Sequence, residues 1–258
     1  MTLKKLEGKV AIITGAGRGL GRSIALAFAE EAADVAVVAR SQPEVDAVAA
    51  EAADFGVKSL AIKCDISQER EVDEMVRKVL AVFPKIDILV NNAGIGGPTD
   101  FITEIATEDW DNTINTNVKG VFLCSRAVVP HMIKQGGGNI INVSSGAGRK
   151  RKEDSFLSPT RSLVYSVSKF AVEGFTLALA AQVNKFNINV NALRPGPTAT
   201  AFHAAASPER RAKMRQPDDI KKVALCLAAQ GPWGITGESV DADAWDQIYL
   251  HRESLPTM

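Results

Sequence analysis

Val10-Ala11-Ile12-Ile13-Thr14-Gly15-Ala16-Gly17-Arg18-Gly19-Leu20-Gly21 is the stretch on which the fold of this chain turns. A short apolar run ends in glycines and passes into residues 22–32, where Ile24, Leu26, Ala27 and Phe28 recur at helical spacing. Strand, tight turn and helix is the context in which a glycine-rich loop can hold a pyrophosphate. Gly15 permits the turn, Gly19 and Gly21 let backbone and helix come close, and Leu20 lies between them at the positive helix end. A plain turn of small residues would look much the same, so the flanking sequence has to decide.

Working outward, strand-like and helix-like segments alternate to the end of the chain. Residues 34–39 form a second apolar run, followed by an alanine-rich helix over 43–55 with Pro43 in its first turn. Residues 57–62 predict a third strand, Ser67 an N-cap for a helix over 68–83, and 86–90 a fourth strand. Thr107 is the expected cap of one long helix running to about residue 134, with Glu108 and Asp109 at its positive end and the glycines at 136–138 stopping it. Strands at 139–143, 188–193 and 238–240, with helices at 163–185 and 218–229, complete the pattern. Apolar strands joined through helices are parallel and buried on both faces, which predicts a single-domain α/β fold over 1–258. Its core is a Rossmann-type doubly wound sheet of about seven strands with helices on both faces. Such sheets bind ligands beyond the carboxyl ends of their strands, here at 15–21, Arg40, Asp65, 91–94, Ser144, Ser145 and 195–200.

Bulk composition narrows the function classes. The 258 residues are 46% hydrophobic, and 30 basic side chains balance 30 acidic ones, so no overall field draws the chain to nucleic acid or an anionic membrane. The first nine residues lack a signal-peptide core, and no apolar run reaches the roughly 20 residues of a membrane span. A cytoplasmic protein with neither nucleic-acid nor membrane partners is therefore expected. Cys64, Cys124 and Cys226 lack metal-ligand or redox spacing and read as buried thiols; no metal site is expected.

The end of the second strand bears on cofactor choice. An acidic residue there would accept from a ribose 2′-hydroxyl, but the chain carries Ala39, Arg40 and Ser41. A guanidinium suits a 2′-phosphate, and Arg18 in the glycine turn can approach the same group, so NADP(H) is expected over NAD(H). A solvated loop arginine is the alternative for Arg40. Farther along, Tyr165 and Lys169 stand four apart on a predicted helix and share a face. Bringing a phenol from about 10 to near 7 takes roughly 4 kcal/mol of differential stabilisation, for which a nearby ammonium is one source. An amphipathic helix with an interfacial Tyr and a snorkelling Lys would show the same spacing.

Taken together, the motifs are more specific than any one of them. Residues 14–21, Asn91-Asn92-Ala93-Gly94, residues 139–145, Tyr165 with Lys169, and Pro195-Gly196 follow one another as in the short-chain dehydrogenase/reductase family, which this chain resembles over residues 6–241. The resemblance implies an oxidoreductase with ketoreductase chemistry: hydride transfer between nicotinamide and a small-molecule carbonyl or alcohol. Tyr165 would be general acid or base, Lys169 would bind the nicotinamide ribose and lower the tyrosine pKa, and Ser145 would hold the substrate oxygen. Asn117 would anchor a water in a proton relay. It also implies that Asp65 and Ile66 lie beside the adenine, Asn92, Ala93 and Gly94 along the ribose, and Pro195, Gly196, Thr198 and Thr200 around the carboxamide. Homodimers or homotetramers are expected through the last strand and the two long helices. An epimerase or dehydratase on the same scaffold, or a catalytically silent NADP(H)-binding regulator, are the alternatives; retention of Asn117, Ser145, Tyr165 and Lys169 speaks against the regulator.

Three regions depart from that pattern. Residues 148–162 form a longer connection, an insertion or lid, carrying Arg149, Lys150, Arg151 and Lys152; it is either a cationic cover for an acidic substrate or a solvated insertion. Residues 201–216 form a short variable segment whose brevity predicts an open pocket. Asp241-Ala242-Asp243-Ala244-Trp245 stands in place of Asp-Gly-Gly, with Trp245 and Tyr249 as either interface or core residues. Ile95, Gly97, Ala147, Phe156, Leu157 and Phe202 are the candidate pocket wall; His131 and His203 have no assigned role.

Overall fold

The computed structural model describes residues 4–148, 162–203, 206–242 and 244–245. Phe156, Leu157, Tyr249 and most of the 148–162 connection, with its four basic residues, lie outside the described residues. Seven parallel strands form one sheet: β1 (Val10–Thr14), β2 (Asp34–Ala39), β3 (Ser59–Lys63), β4 (Ile88–Asn91), β5 (Gly138–Val143), β6 (Ile188–Arg194) and β7 (Ser239–Asp241). Their order is β3-β2-β1-β4-β5-β6-β7, so the chain reverses direction between β1 and β4, and a crevice opens there at the strand carboxyl ends. Ile12 pairs with Ala36 on one side and Leu89 on the other, which fixes the register at that switch.

Alternation along each strand divides the core in two. Ala11, Ile13, Val35, Val37, Ile88 and Val90 face α1 (Gly19–Glu30), α2 (Gln42–Ala53) and α8 (Lys221–Ala228). Val10, Ile12, Ala36, Val38 and Leu89 face α3 (Glu69–Val82), α5 (Gly120–Gln135) and α6 (Leu163–Val183). Each fully buried aliphatic side chain contributes about 1.5–3 kcal/mol of transfer free energy, so a one-residue slip of β1 would exchange both sets at once. Two smaller helices, α4 (Thr107–Ile114) and α7 (Pro208–Ala212), complete the described set.

The structure revises several local expectations. The long helix expected from Thr107 is divided: α4 meets α5 through a π-helical turn, Asn115–Lys119, and Thr107 is its first helical residue while Ala106 occupies the cap. Ser67 does not cap α3: the helix starts at Glu69 with Gln68 in the cap position, and the Ser67 amide and hydroxyl both donate to Asp65 Oδ1, at 3.0 and 2.8 Å. Gly136 ends α5 in the left-handed conformation, φ 86°, as a stop signal should, whereas Gly138 already belongs to β5. The sequence without Asp-Gly-Gly still forms the last strand: β7 pairs with β6, and Asp241 Oδ2 lies 3.1 Å from Arg194 Nη1. Trp245 is buried in the core beside α8, which settles its role in favour of packing. α6 is long and apolar enough to cross a bilayer by composition alone, contrary to the expectation that no segment would be, yet it packs on the sheet and buries Lys169 there.

Candidate active site

The crevice at the β1–β4 switch is built first by backbone. Gly15 adopts φ +64°, and a Cβ on it would lie 2.7 Å from Ala93 Cα, so turn and β4 loop touch directly. Thr14 and Asn92 clasp them: Thr14 Oγ1 accepts from the amides of Asn92 and Ala93 at 3.0 and 3.1 Å, and Asn92 Nδ2 donates to the carbonyls of Thr14 and Gly15 at 2.9 and 3.1 Å. Asn92, expected along the ribose, thus spends its amide nitrogen on the turn itself. Gly21 is buried where any side chain would collide with the Gly15 carbonyl, while Leu20 packs towards the core.

Arg18 holds the cap position of α1 in extended backbone and makes no side-chain cap, so the first-turn N–H groups of a twelve-residue helix remain available to an anion. Gly19, at φ +58°, faces Thr200, whose Cγ2 would be 3.3 Å from a Cβ there. The turn and the segment after β6 therefore face each other across the cleft, and the residues present fit a dinucleotide phosphate. Of the two candidate threonines, Thr198 is buried and donates to the Gly196 carbonyl at 3.2 Å, leaving Thr200 as the one turned to the glycine turn. Pro195 is buried beneath them and Gly196 has φ +71°. At the β2 end, Arg40 is exposed and Ser41 occupies the cap position of α2 without a side-chain hydrogen bond to it. Asp65 is half-buried with one oxygen engaged by Ser67, and Ile66 is buried against the start of α5 at Gly120.

The four expected catalytic residues come together beyond β4 and β5. Ser162 caps α6 by accepting from the Tyr165 amide at 3.2 Å, which fixes Tyr165 in the first helical turn. Lys169, one turn on, is only 5% exposed; its Nζ donates to the Val143 carbonyl at 2.8 Å and lies 5.6 Å from the Tyr165 ring centre. Ser145 is hydrogen-bonded to the Tyr165 phenol, and its Oγ accepts from the Ala147 amide at 3.2 Å. Asn117 sits in the π-helical turn, wholly buried. Its Oδ1 accepts from Ile95 N at 2.8 Å, and its Nδ2 donates to Ile95 O at 2.9 Å and to Ser168 Oγ at 3.0 Å. Ser168 Oγ donates in turn to the Tyr165 carbonyl at 2.7 Å, so the β4 loop, the π-helical turn and α6 form one hydrogen-bonded chain. Gly94 lies over this chain; a Cβ there would be 3.2 Å from Asn117 Oδ1 and 3.8 Å from Lys169 Nζ.

Desolvation acts on both members of the tyrosine–lysine pair in the unliganded chain. Burial raises the Tyr165 phenol above its ordinary value, and the Ser145 hydrogen bond only partly offsets this. Burial also pushes the Lys169 ammonium down to about 8, with Glu173 acting against the shift. The lysine therefore does not by itself bring the phenol towards neutrality, because the same desolvation opposes charge on both groups.

Phe202, an expected wall residue in the segment after Thr200, has its ring 5.3 Å from the Tyr165 ring, centre to centre, with its edge 3.5 Å from a Cβ on Gly96. Gly97 packs near the cap of α6, where a Cβ on it would lie 3.0 Å from Ser162 Oγ. Ser162, Ser168 and Glu44 are contributors that sequence reasoning missed. Ser162, directly before an apolar periodic run, carried a readable cap signal; Ser168 did not. Glu44, in the first turn of α2, places Oε1 3.4 Å from Arg18 Nη1. No cluster of potential metal ligands occurs among the described residues.

Residues 9–211 match the family model described as short chain dehydrogenase. The chain is 35% identical over 248 residues to the 3-oxoacyl-(acyl-carrier-protein) reductase of Thermotoga maritima, covering 93% of this chain and 98% of that one. It is similar to the crystal structure of 3-ketoacyl-(acyl-carrier-protein) reductase from Brucella melitensis complexed with NADH, with TM-score 0.82 and 37% identity over 92% of this chain and 97% of the other. A short chain dehydrogenase from Shigella flexneri complexed with NADP is similar at TM-score 0.85 and 26% identity, over 94% and 100% of the two chains.

Proposed function

Because this chain belongs to the short-chain dehydrogenase/reductase family of oxidoreductases, we propose that it interconverts a ketone or aldehyde and the corresponding alcohol, with NADP(H) as cofactor and Tyr165 as the proton donor or acceptor. The observation that carries the reading is the convergence of Tyr165, Ser145, Lys169 and Asn117 on one rim of the sheet. The nicotinamide supplies or takes the hydride. The glycine turn and the start of α1 bind the pyrophosphate, Arg18 and Arg40 attract the 2′-phosphate, and Thr200 closes over the turn from the opposite side. Ser145 holds the substrate oxygen beside the phenol, and Tyr165 gives that oxygen a proton in reduction. Lys169, once it bonds a ribose hydroxyl as well as Val143 O, keeps a positive charge beside the ring and favours the phenolate left behind. Asn117, through Ser168, holds the helix turn that carries the phenol.

Phe202, Ile95 and Ala147 give the substrate side an apolar wall, which suits acyl or cyclic ketones. The names of the relatives make 3-oxoacyl thioesters the first compounds to try. A homo-oligomer is part of the proposal, supported by Leu163, Val167, Phe170 and Leu177, which form an exposed apolar stripe at helical spacing along α6. The deciding assay follows NADPH oxidation with a panel of ketones, aldehydes and 3-oxoacyl thioesters. Turnover with at least one class is expected; tight NADPH binding with no turnover across the panel would assign the chain to silent nucleotide binding instead.

A further inference from the structure

Glu44 stands where no side chain of the glycine turn can. A Cβ on Gly17 would lie 2.8 Å from Glu44 Cβ and 2.9 Å from its Oε2, and 3.5 Å from the Ala39 methyl at the end of β2. The carboxylate therefore lies over the junction of the turn and the second strand, beside the position whose acidic reader is replaced by Ala39. Its other oxygen is 3.4 Å from Arg18 Nη1. We infer that Glu44 is a selectivity residue of the cofactor site: it neutralises Arg18 in the free protein, opposes the 2′-phosphate, and so narrows the preference for NADP(H) over NAD(H).

The inference rests on the proposed NADP(H) binding and follows from charge. A guanidinium already paired with a carboxylate must share it or release it before taking a second anion, and a phosphate brought to the same guanidinium meets a like charge. The pair itself is weak, since Arg18 is 71% exposed and Glu44 38%, so it yields to a phosphate rather than excluding it. A ribose without the phosphate brings no such charge and is indifferent to Glu44. Arg40 is exposed at the same strand end and is a second cation for the phosphate.

Dissociation constants of NADPH and NADH, measured by nucleotide fluorescence on the intact protein, test this in Glu44→Gln, in Arg18→Met and in the double variant. Glu44→Gln should tighten NADPH roughly fivefold and leave NADH within about twofold, and the gain should shrink on the Arg18→Met background, where only the direct repulsion of the phosphate remains. Unchanged NADPH affinity in Glu44→Gln overturns the inference. So does weakened NADH affinity, which would make Glu44 an acceptor for the ribose hydroxyls, and so does a gain undiminished by the loss of Arg18. A wild-type protein that binds NADH more tightly than NADPH would sink the cofactor reading alone, because the effect of Glu44 is read from each nucleotide's ratio between variant and parent.

Discussion

Two sets of charged groups lie along one rim of the sheet, and solvent treats them in opposite ways. Arg18 and Arg40, around the ends of β1 and β2, stand in water with Glu44 partly exposed beside them, whereas beyond β5 Lys169 is buried and the half-buried Tyr165 has its phenol raised by desolvation. Water screens the first set, so each member contributes modestly and partners exchange readily, which suits the choice between two nucleotides. Desolvation governs the second set. Each charge there is costly unless paired, so protonation states respond strongly to whatever binds. Selection rests on several weak, adjustable contacts, and chemistry on a few groups that the fold holds out of water.

The sharpest way to break this contrast is Tyr165→Phe. It should lower the rate of NADPH-dependent reduction by about a thousandfold, within the range of general acid–base contributions, while NADPH affinity by fluorescence titration stays within about twofold. Undiminished turnover would remove the phenol from the reaction. A second measurement concerns Lys169. In the free protein its ammonium holds a proton below about pH 8 and loses it above, so kcat/KM for reduction should fall as pH rises through 8, approaching tenfold per unit. Lys169→Arg, permanently charged, should lower the rate yet flatten that limb; a limb that persists unchanged belongs to another group. The smallest expected effect is on the exposed side. Arg40→Asp should reduce the ratio of NADPH to NADH affinity by about tenfold, and an unaltered ratio would assign phosphate recognition to Arg18.

Much of the frame was legible because it depends on short-range pattern. Alternation in β1 and β2 divides Ala11 and Ile13 from Val10 and Ile12, and the structure sends those pairs to opposite layers. Gly15 and Gly19 do take positive φ, and Tyr165 and Lys169 do share a helix face. What could not be read depends on partners distant in sequence. Asn117 is held by Ile95 and Ser168, and nothing within residues 115–119 announces a widened turn. Ser67 reads as a cap locally, but the helix starts one residue later, leaving Ser67 to bond Asp65. Glu44 and Arg18 are twenty-six residues apart and meet only because β2 lies beside β1. Nor does the spacing of Tyr165 and Lys169 reveal that burial dominates both groups in the unliganded chain.

The widened turn at Asn115–Lys119 carries a consequence of phase. A turn with i→i+5 bonds accommodates a surplus residue, and excising one residue would let α4 run into α5 as an ordinary helix. Each residue of an α-helix advances the side-chain direction by about 100°, so everything upstream, from Trp110 to Ile114, would be rotated by that amount against its neighbours. Asn117 would point away from Ile95 however well its own chemistry was preserved. At this place the molecule is indexed by count as much as by identity.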